Sequence, residues 1–476
     1  MVYRRNLIKA NSRRRFSNLY KDIVESISGS DLDFTEGKLS RAILILSIPM
    51  VLEMVMESIF AIADIWFVSK LGPDAVATVG ITESMVTIVY AISIGLSMAT
   101  SSIVSRRIGE KNHDKAARAA VQSILTGTLA SLLIAIPGII FASDLLRAMG
   151  ANDTIVEEMS GYTSIMLGGN IVIMLLFIIN AVFRSSGDAA ISMRVLWIGN
   201  IINIILDPCF IFGIGPFPEL GIKGAAVATT IGRGIAVLFQ LYILIKGNKR
   251  VKILREHLRI NFGLILKILK ISMGGIGQNI IATSSWIFLV RIISEFGSAA
   301  VAGYTIAIRI VIFALLPSWG IANAAATLVG QNLGAKKPDR AEKAVWITGV
   351  VNMILLTAFG IIMILFPGYF IRLFIDDPEV VKSGITGLKI VSIGFISYGL
   401  GMVLVNAFNG AGDTATPTKI NIVAFWMIEI PLAYFLGIKL TMAETGVFIA
   451  IVIAETVLTL IALMAFRRGK WKENEV

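Results

Sequence analysis

The sequence predicts an all-α membrane protein, with twelve transmembrane helices in two six-helix lobes related by a pseudo-twofold along the membrane normal. Three observations predict it. First, 56% of the 476 residues are apolar and 16% charged, with a mean hydropathy of +0.80, whereas a globular domain carries about a quarter charged residues. Second, the apolar residues arrive in long runs, such as AILILSIPMVLEMVMESIFAIADIWFV at 42–68 and GAAVATTIGRGIAVLFQLYILI at 224–245. Such runs cross a hydrocarbon layer of about 30 Å as helix. Third, loop motifs recur at one offset. LGPDAVATVG pairs Gly72 with Gly297 of FGSAAVAGYT. SRRIGEKNHDKAARA pairs Gly109 and Asp114 with Gly334 and Asp339 of GQNLGAKKPDRAEKA. FRSSGDA pairs Gly187 and Asp188 with Gly412 and Asp413 of FNGAGDT. Every pair is 225 residues apart. An even number of helices per copy gives both copies the same orientation, which puts the twofold along the normal.

The expected spans are 42–68, 75–104, 119–142, 158–183, 190–214, 222–246, 265–293, 299–328, 344–370, 383–408, 417–438 and 443–466. Lys and Arg crowd the even-numbered loops, for example KGNKRVKILREHLR, and are sparse in the odd-numbered ones, for example SEFGSAA. The positive-inside rule therefore sets the even loops and both termini in the cytoplasm. The divisions are a basic tail over 1–40, a first lobe over 41–247, a linker over 248–264, a second lobe over 265–468 and a tail over 469–476.

The net charge of +11 reads as basic loops on one membrane side, not as a nucleic-acid surface. The single cysteine, Cys209, excludes an intrachain disulfide or a CxxC metal site. His113 and His257 stand in basic loops and are expected to be solvated. Residues 1–37, with Arg4, Arg5, Arg13, Arg14 and Arg15, lack the apolar core of a signal peptide and read as a flexible tail. No GxxxxGK loop is present, so ATP is not the expected energy source.

Within this apolar chain a few charges stand out. Asp207 is the only charge in VLWIGNIINIILDPCFIFGI. A carboxylate at a helix centre costs about 2.5–3.5 kcal/mol on insertion scales, so it persists only where water, a partner or a cation compensates. Asn203 and Asn200, four and seven residues earlier, share its helix face. The competing reading is a polar staple between helices. Glu53, Glu57 and Asp64 lie within roughly 40° of one another around the first span. This acidic stripe would line a cleft and attract cationic, lipophilic cargo. Alternatively Glu53 or Glu57 pairs with Arg233, which lies near the middle of the sixth span. Pro49 removes a backbone hydrogen bond and is a candidate bending point. Glu83, Arg291, Arg309, Glu429 and Glu455 are expected to be mostly in structural pairs, with Arg291 and Glu295 at i, i+4 as the example. The 18 methionines suit an adaptable cleft.

The chain resembles the multidrug and toxic compound extrusion family of secondary transporters over about residues 35–465. The carrying stretches are EGKLSRAILILSIPM, ADIWFVSKLG, FRSSGD, NIILDPCFIFG and LGIKGAAVATTIG, in that order and with the 225-residue repeat. The resemblance points to the DNA-damage-inducible branch, whose first-lobe acids match Asp64 and Asp207. Asn203, Thr229 and Tyr162 match as well. It also implies that Glu57 and Asn180 line the drug cavity. Another branch has acids in the second lobe where this chain carries Gln278 and Tyr398, which puts a cation site there in doubt.

Depth agrees with the resemblance. Asp64, Asp207, Tyr162 and Thr229 all fall in the outer halves of their spans, so four helices bring oxygen groups to one level. Two carboxylates, an amide, a hydroxyl and a phenol suit a hard cation such as Na⁺, held by Asp64, Asn203, Asp207 and Thr229. Two nearby carboxylates in low dielectric cannot both ionise cheaply, so the cluster can also hold a proton. The expectation is an exporter of amphipathic, often cationic drugs by exchange with H⁺ or Na⁺. It would use no cofactor, have no enzymatic activity, and work as a monomer in a prokaryotic plasma membrane. The alternative is a flippase for lipid-linked saccharide, whose cleft is expected to be more basic.

Overall fold

The computed structural model describes residues 19–247 and 250–476. The arginines at 4, 5 and 13–15 lie outside the described residues. Twelve spans follow one another: α1 Leu39–Ser69, α2 Pro73–Gly109, α3 His113–Ile140, α4 Ile155–Ser186, α5 Ala189–Phe212, α6 Ile222–Lys246, α7 Phe262–Phe296, α8 Ser298–Gly334, α9 Pro338–Leu365, α10 Pro378–Ile393 with Phe395–Gly410, α11 Ala415–Lys439 and α12 Ala443–Arg467. Helix starts follow local chemistry. Proline occupies the first turn of α2, α9 and α10, where no backbone donor is lost. The side chains of Asn112, Asn261 and Asp377 accept from free amides opening α3, α7 and α10.

Two irregularities escaped the sequence reading. α10 bends by 56° at Gly394, and α11 opens into wide π-type turns over Ile422–Glu429 and Phe435–Lys439. By contrast α1 runs through Pro49 as one helix.

The repeat motifs have a backbone reason. Gly72 and Gly297 take φ of +105° and +97°, and Gly187 and Gly412 take +89° and +84°, a region that glycine enters at little cost. Gly109 and Gly334 serve closeness instead. Gly109 of α2 packs on the backbone of Gln331, and Gly334 of α8 packs on the backbone of Arg106. Arg106 and Gln331 are themselves 225 residues apart, so the two contacts are twofold mates and the axis passes between these helix ends.

The lobes meet in this basic half of the bundle. Gly95 of α2 lies against Ser272 and Ile276 of α7, and Gly320 of α8 against Met50 and Val51 of α1. Gln331 Nε2 donates to the Ser185 carbonyl at 2.8 Å. Toward the far end, α1 presents exposed Ile59, Ile62, Ile65 and Trp66.

The chain outside the spans is more ordered than the sequence suggested. Residues 30–37 are pinned from the linker and the second lobe. Arg250 donates to the carbonyls of Ser30 and Leu32 at 2.9 and 2.8 Å, while Lys337 and Arg340 donate to those of Thr35 and Gly37 at 3.0 and 2.9 Å. Phe34, 1% exposed, is sealed between them. The reading of 1–37 as flexible is thus corrected for 30–37, because three cations take up its backbone carbonyls. The tail over 469–476 also packs. Trp471 stacks on Phe466 with ring centroids 4.7 Å apart, and Arg106 and Arg107 of the first lobe donate to Asn474 and Val476. His257 is corrected too. It is buried, takes the Leu254 amide on Nδ1 at 3.1 Å, and places Nε2 2.7 Å from Asp114, clamping the linker to α3.

An added methyl at either twofold glycine would overlap the facing backbone, and such overpacking costs about 1–3 kcal/mol. Gly334→Ala is therefore expected to open the basic end. The check is spin labels at Arg118→Cys and Lys343→Cys on a Cys209→Ser background, whose separation should lengthen. An unchanged distance distribution would sink the closure role.

Candidate ion and substrate site

α5 and α6 can touch closely because Gly199 and Gly232 face each other, each against the other's backbone. That approach lets one amide bridge both helices. Asn203 Nδ2 lies 3.3 Å from Asp207 Oδ1 and 3.1 Å from Thr229 Oγ1. Asn203 and Asp207 are 1% and 0% exposed. Asp64 of α1 interacts electrostatically with Asp207, and Tyr162 of α4 with both acids. Tyr162 and Thr229 are buried. The structure thus brings the five sequence-selected residues into one neighbourhood.

The cluster is incompletely satisfied. Asp64 Oδ1, Asn203 Oδ1 and Asp207 Oδ2 are all buried without a hydrogen-bond partner. An unmet buried polar atom costs about 1–3 kcal/mol, so three on interacting residues leave room for an occupant. All three are oxygen acceptors, two on carboxylates. This donor set fits a proton or a hard monovalent cation.

The acidic stripe divides along its length. Glu53, 2% exposed, accepts from Arg184 Nη1 at 3.0 Å and from Asn180 Nδ2 at 3.2 Å. The Asn180 carbonyl oxygen is in turn taken by Gln240 at 2.5 Å. Glu53 and Asn180 were expected to meet substrate. In this state both are buried in one network, in which Glu53 Oε1 takes both donors and Glu53 Oε2 has no partner. Arg184 was missed because it follows 131 residues after Glu53, and only the fold brings its long side chain within reach of α1. Glu57 differs. Its side chain is 30% exposed, with Arg233 Nη2 at 4.0 Å and Asn200 Nδ2 at 3.4 Å. Pairing with Arg233 is therefore the arrangement adopted, and it is a loose one.

Higher in α2, Glu83 interacts electrostatically with Asp64 and with Arg309 of α8 in the other lobe. Arg291 and Glu295 pair at 3.0 Å as expected. In the second lobe, Gln278 and Asn409 exchange amide hydrogen bonds at 3.1 and 3.2 Å. Tyr398 interacts electrostatically with Glu455, and Ser285 donates to Glu429. Among the described residues no salt bridge reaches Glu429 or Glu455, which departs from the structural pairing expected of most such groups.

Removing one partner of a buried ion pair costs about 3–5 kcal/mol, because the other charge stays buried and uncompensated. Glu53→Ala is therefore expected to lower the melting temperature of the detergent-solubilised protein, and Glu53→Met with Arg184→Met to recover much of it. Unchanged melting in Glu53→Ala would overturn the structural assignment.

Comparison with known proteins supplies the family. The family model described as MatE matches residues 49–209 and again 276–435, one block in each lobe. The probable multidrug resistance protein NorM of Thermotoga maritima is 25% identical, over 92% of this chain and 94% of its own. A FAD transporter of Shewanella oneidensis is 26% identical, over 84% of this chain and 90% of its own. Among solved structures, a multidrug resistance MATE transporter of the MOP superfamily in an outward-facing conformation superposes with a TM-score of 0.86 at 26% identity, covering 93% of this chain and 98% of its own. A MOP-superfamily transporter from Pyrococcus furiosus, described by the reverse polarity of its binding pocket, gives 0.84 at 26% identity, covering 92% and 97%. With both lobes matched and the same two-lobe architecture, the chain belongs to the MatE family, the multidrug and toxic compound extrusion transporters, and is a multi-pass membrane transporter.

Proposed function

We propose that this protein is an antiporter that exports amphipathic small molecules, exchanging them for H⁺ or Na⁺ bound in the first lobe at Asp64, Asn203, Asp207 and Thr229, with Tyr162 beside them. The observation that carries the reading is the trio of buried, partnerless oxygens on Asp64, Asn203 and Asp207, inside a two-lobe transporter family. The basic loops and termini face the cytoplasm of a prokaryotic plasma membrane. Inter-lobe packing in the basic half, with the likeness to an outward-facing relative, supports a state closed inside and open outside. In that state the site can load from outside, and the monomer then rocks its lobes to release the ion inward.

The substrate-facing group is Glu57, since Glu53 and Asn180 are committed to Arg184 and Gln240. The cargo preference for cations rests on this one carboxylate. One charge moving down 100 mV yields about 2.3 kcal/mol, enough for roughly a fifty-fold gradient at 1.4 kcal/mol per decade. Exchanging one monovalent cation for one ion cancels that electrical gain. Cationic cargo therefore needs a chemical gradient of the ion, or two ions per cycle.

The experiment is ethidium transport in proteoliposomes under ΔpH and ΔNa⁺ imposed separately. The wild type is expected to respond to one of the two gradients. Asp64→Asn and Asp207→Asn should each lose at least about tenfold of the driven rate, a lost interaction of 1.4 kcal/mol or more. Wild-type driven rates in both variants would remove the coupling role.

A further inference from the structure

Arg233 is the one arginine placed between the cleft acid and the ion site. It is 6% exposed, on α6 one turn after Thr229. Its guanidinium carbon lies 5.1 Å from the Phe60 ring centre. Phe60 stands three residues after Glu57 and four before Asp64 on the same helix. At 1.5 Å rise per residue, Glu57 is about 4.5 Å along the axis in one direction and Asp64 about 6 Å in the other. The guanidinium therefore sits at a level between the two carboxylates, on one face.

Its bonding there is partial. Nη1 donates to the Tyr90 hydroxyl at 3.2 Å, Nη2 is 4.0 Å from Glu57, and Nε has no partner. Asp64 Oδ1 is likewise unpartnered, and Arg233 interacts electrostatically with Asp64 as well as with Glu57. The other charges around this spot are Glu83 and Asp207, both acidic. A fully buried guanidinium normally saturates its donors. This one keeps a donor free within electrostatic reach of an acid that keeps an acceptor free.

We propose that Arg233 is a tethered cation shared between Glu57 and Asp64, and that it makes coupling ion and cationic substrate exclude each other. The inference rests on the antiport reading above. With an ion held at Asp64 and Asp207, the acids there are compensated and Arg233 rests on Glu57, which is then closed to cargo. When the ion leaves, the bare carboxylates draw the guanidinium toward Asp64. Glu57, already part-exposed, is freed as an anchor for a cation in the cleft. Cargo on Glu57 in turn keeps Arg233 on Asp64 and holds the ion site shut until cargo departs. Such a coupling is reciprocal by linkage, and it needs no contact between ion and substrate.

The test is ethidium affinity of the purified full-length protein, with the coupling ion absent and saturating. Wild type is expected to bind ethidium about tenfold or more weakly when the ion saturates, within the usual range of such couplings. In Arg233→Gln, Glu57 is free in both conditions, so the two affinities should agree within about twofold; Arg233→Lys should restore part of the difference. Glu57→Gln should bind ethidium weakly throughout while still binding the ion, and this variant decides the matter if Arg233→Gln does not fold. A full ion dependence in Arg233→Gln, or tight ion-sensitive ethidium binding in Glu57→Gln, overturns the proposal. Asp207→Asn separates the two levels. If it loses the ion effect while Arg233→Gln keeps it, only the shared-cation inference fails. If Asp207→Asn keeps the effect, the ion site itself is wrong.

Discussion

A charge placed among apolar helices must be compensated, and this requirement sorts the acids of the bundle. Glu53 is met most closely, by Arg184 and Asn180 on one oxygen, while its other oxygen has no hydrogen-bond partner. Glu57 is met loosely, by Arg233 at 4.0 Å, and Glu83 at longer range by Arg309. Asp64 and Asp207 have only each other, an amide and Arg233 at a distance. The gradation runs along α1 from the basic end outward. A guanidinium at 3.0 Å holds Glu53 in place. Among the described residues Asp64 and Asp207 have no salt-bridge partner, which is what the proposed ion site requires.

The same helix ties this gradation to the closed end. α1 touches the second lobe at Met50 and Val51 against Gly320, and it carries Asp64 about four turns further on. Close helix approach elsewhere relies on paired small residues, Gly109 with Gly334 across the lobes and Gly199 with Gly232 within the first. The first pair makes a closed end that a single methyl would disturb. The second brings Thr229 and Asn203 to hydrogen-bonding distance. Backbone contact is thus used twice, once to join the lobes and once to bring Asn203 to Thr229.

Much of this was legible in the sequence because it depends on composition and spacing. Hydrocarbon thickness sets span length, so all twelve spans were found, with α2 and α8 running several residues further than expected. The repeat was visible because its glycines are forced, by positive φ at 72, 187, 297 and 412 and by close packing at 109 and 334. Asp207 stood out because it was alone. What escaped depends on partners distant in sequence. No local pattern links Glu53 to Arg184, so the pairing of Glu53 and its burial with Asn180 were not foreseen. His257 looked solvated because its neighbours are basic, and only the fold delivers Asp114 to it. The bend at Gly394 and the wide turns of α11 leave no comparable mark, since glycine and aromatic residues are common throughout these spans.

Pro49 gains meaning from this arrangement. A proline removes the hydrogen bond to the carbonyl four residues earlier, here that of Ile45, and it does so one residue before the Met50 contact with Gly320. One backbone hydrogen bond of α1 is therefore missing next to where it leans on the other lobe. A change of charge at Asp64 alters the pull on Arg233 and Asp207 at the far end of α1. The proposed ion site and the lobe contact thus lie on one helix, about four turns apart, with the missing hydrogen bond at the contact.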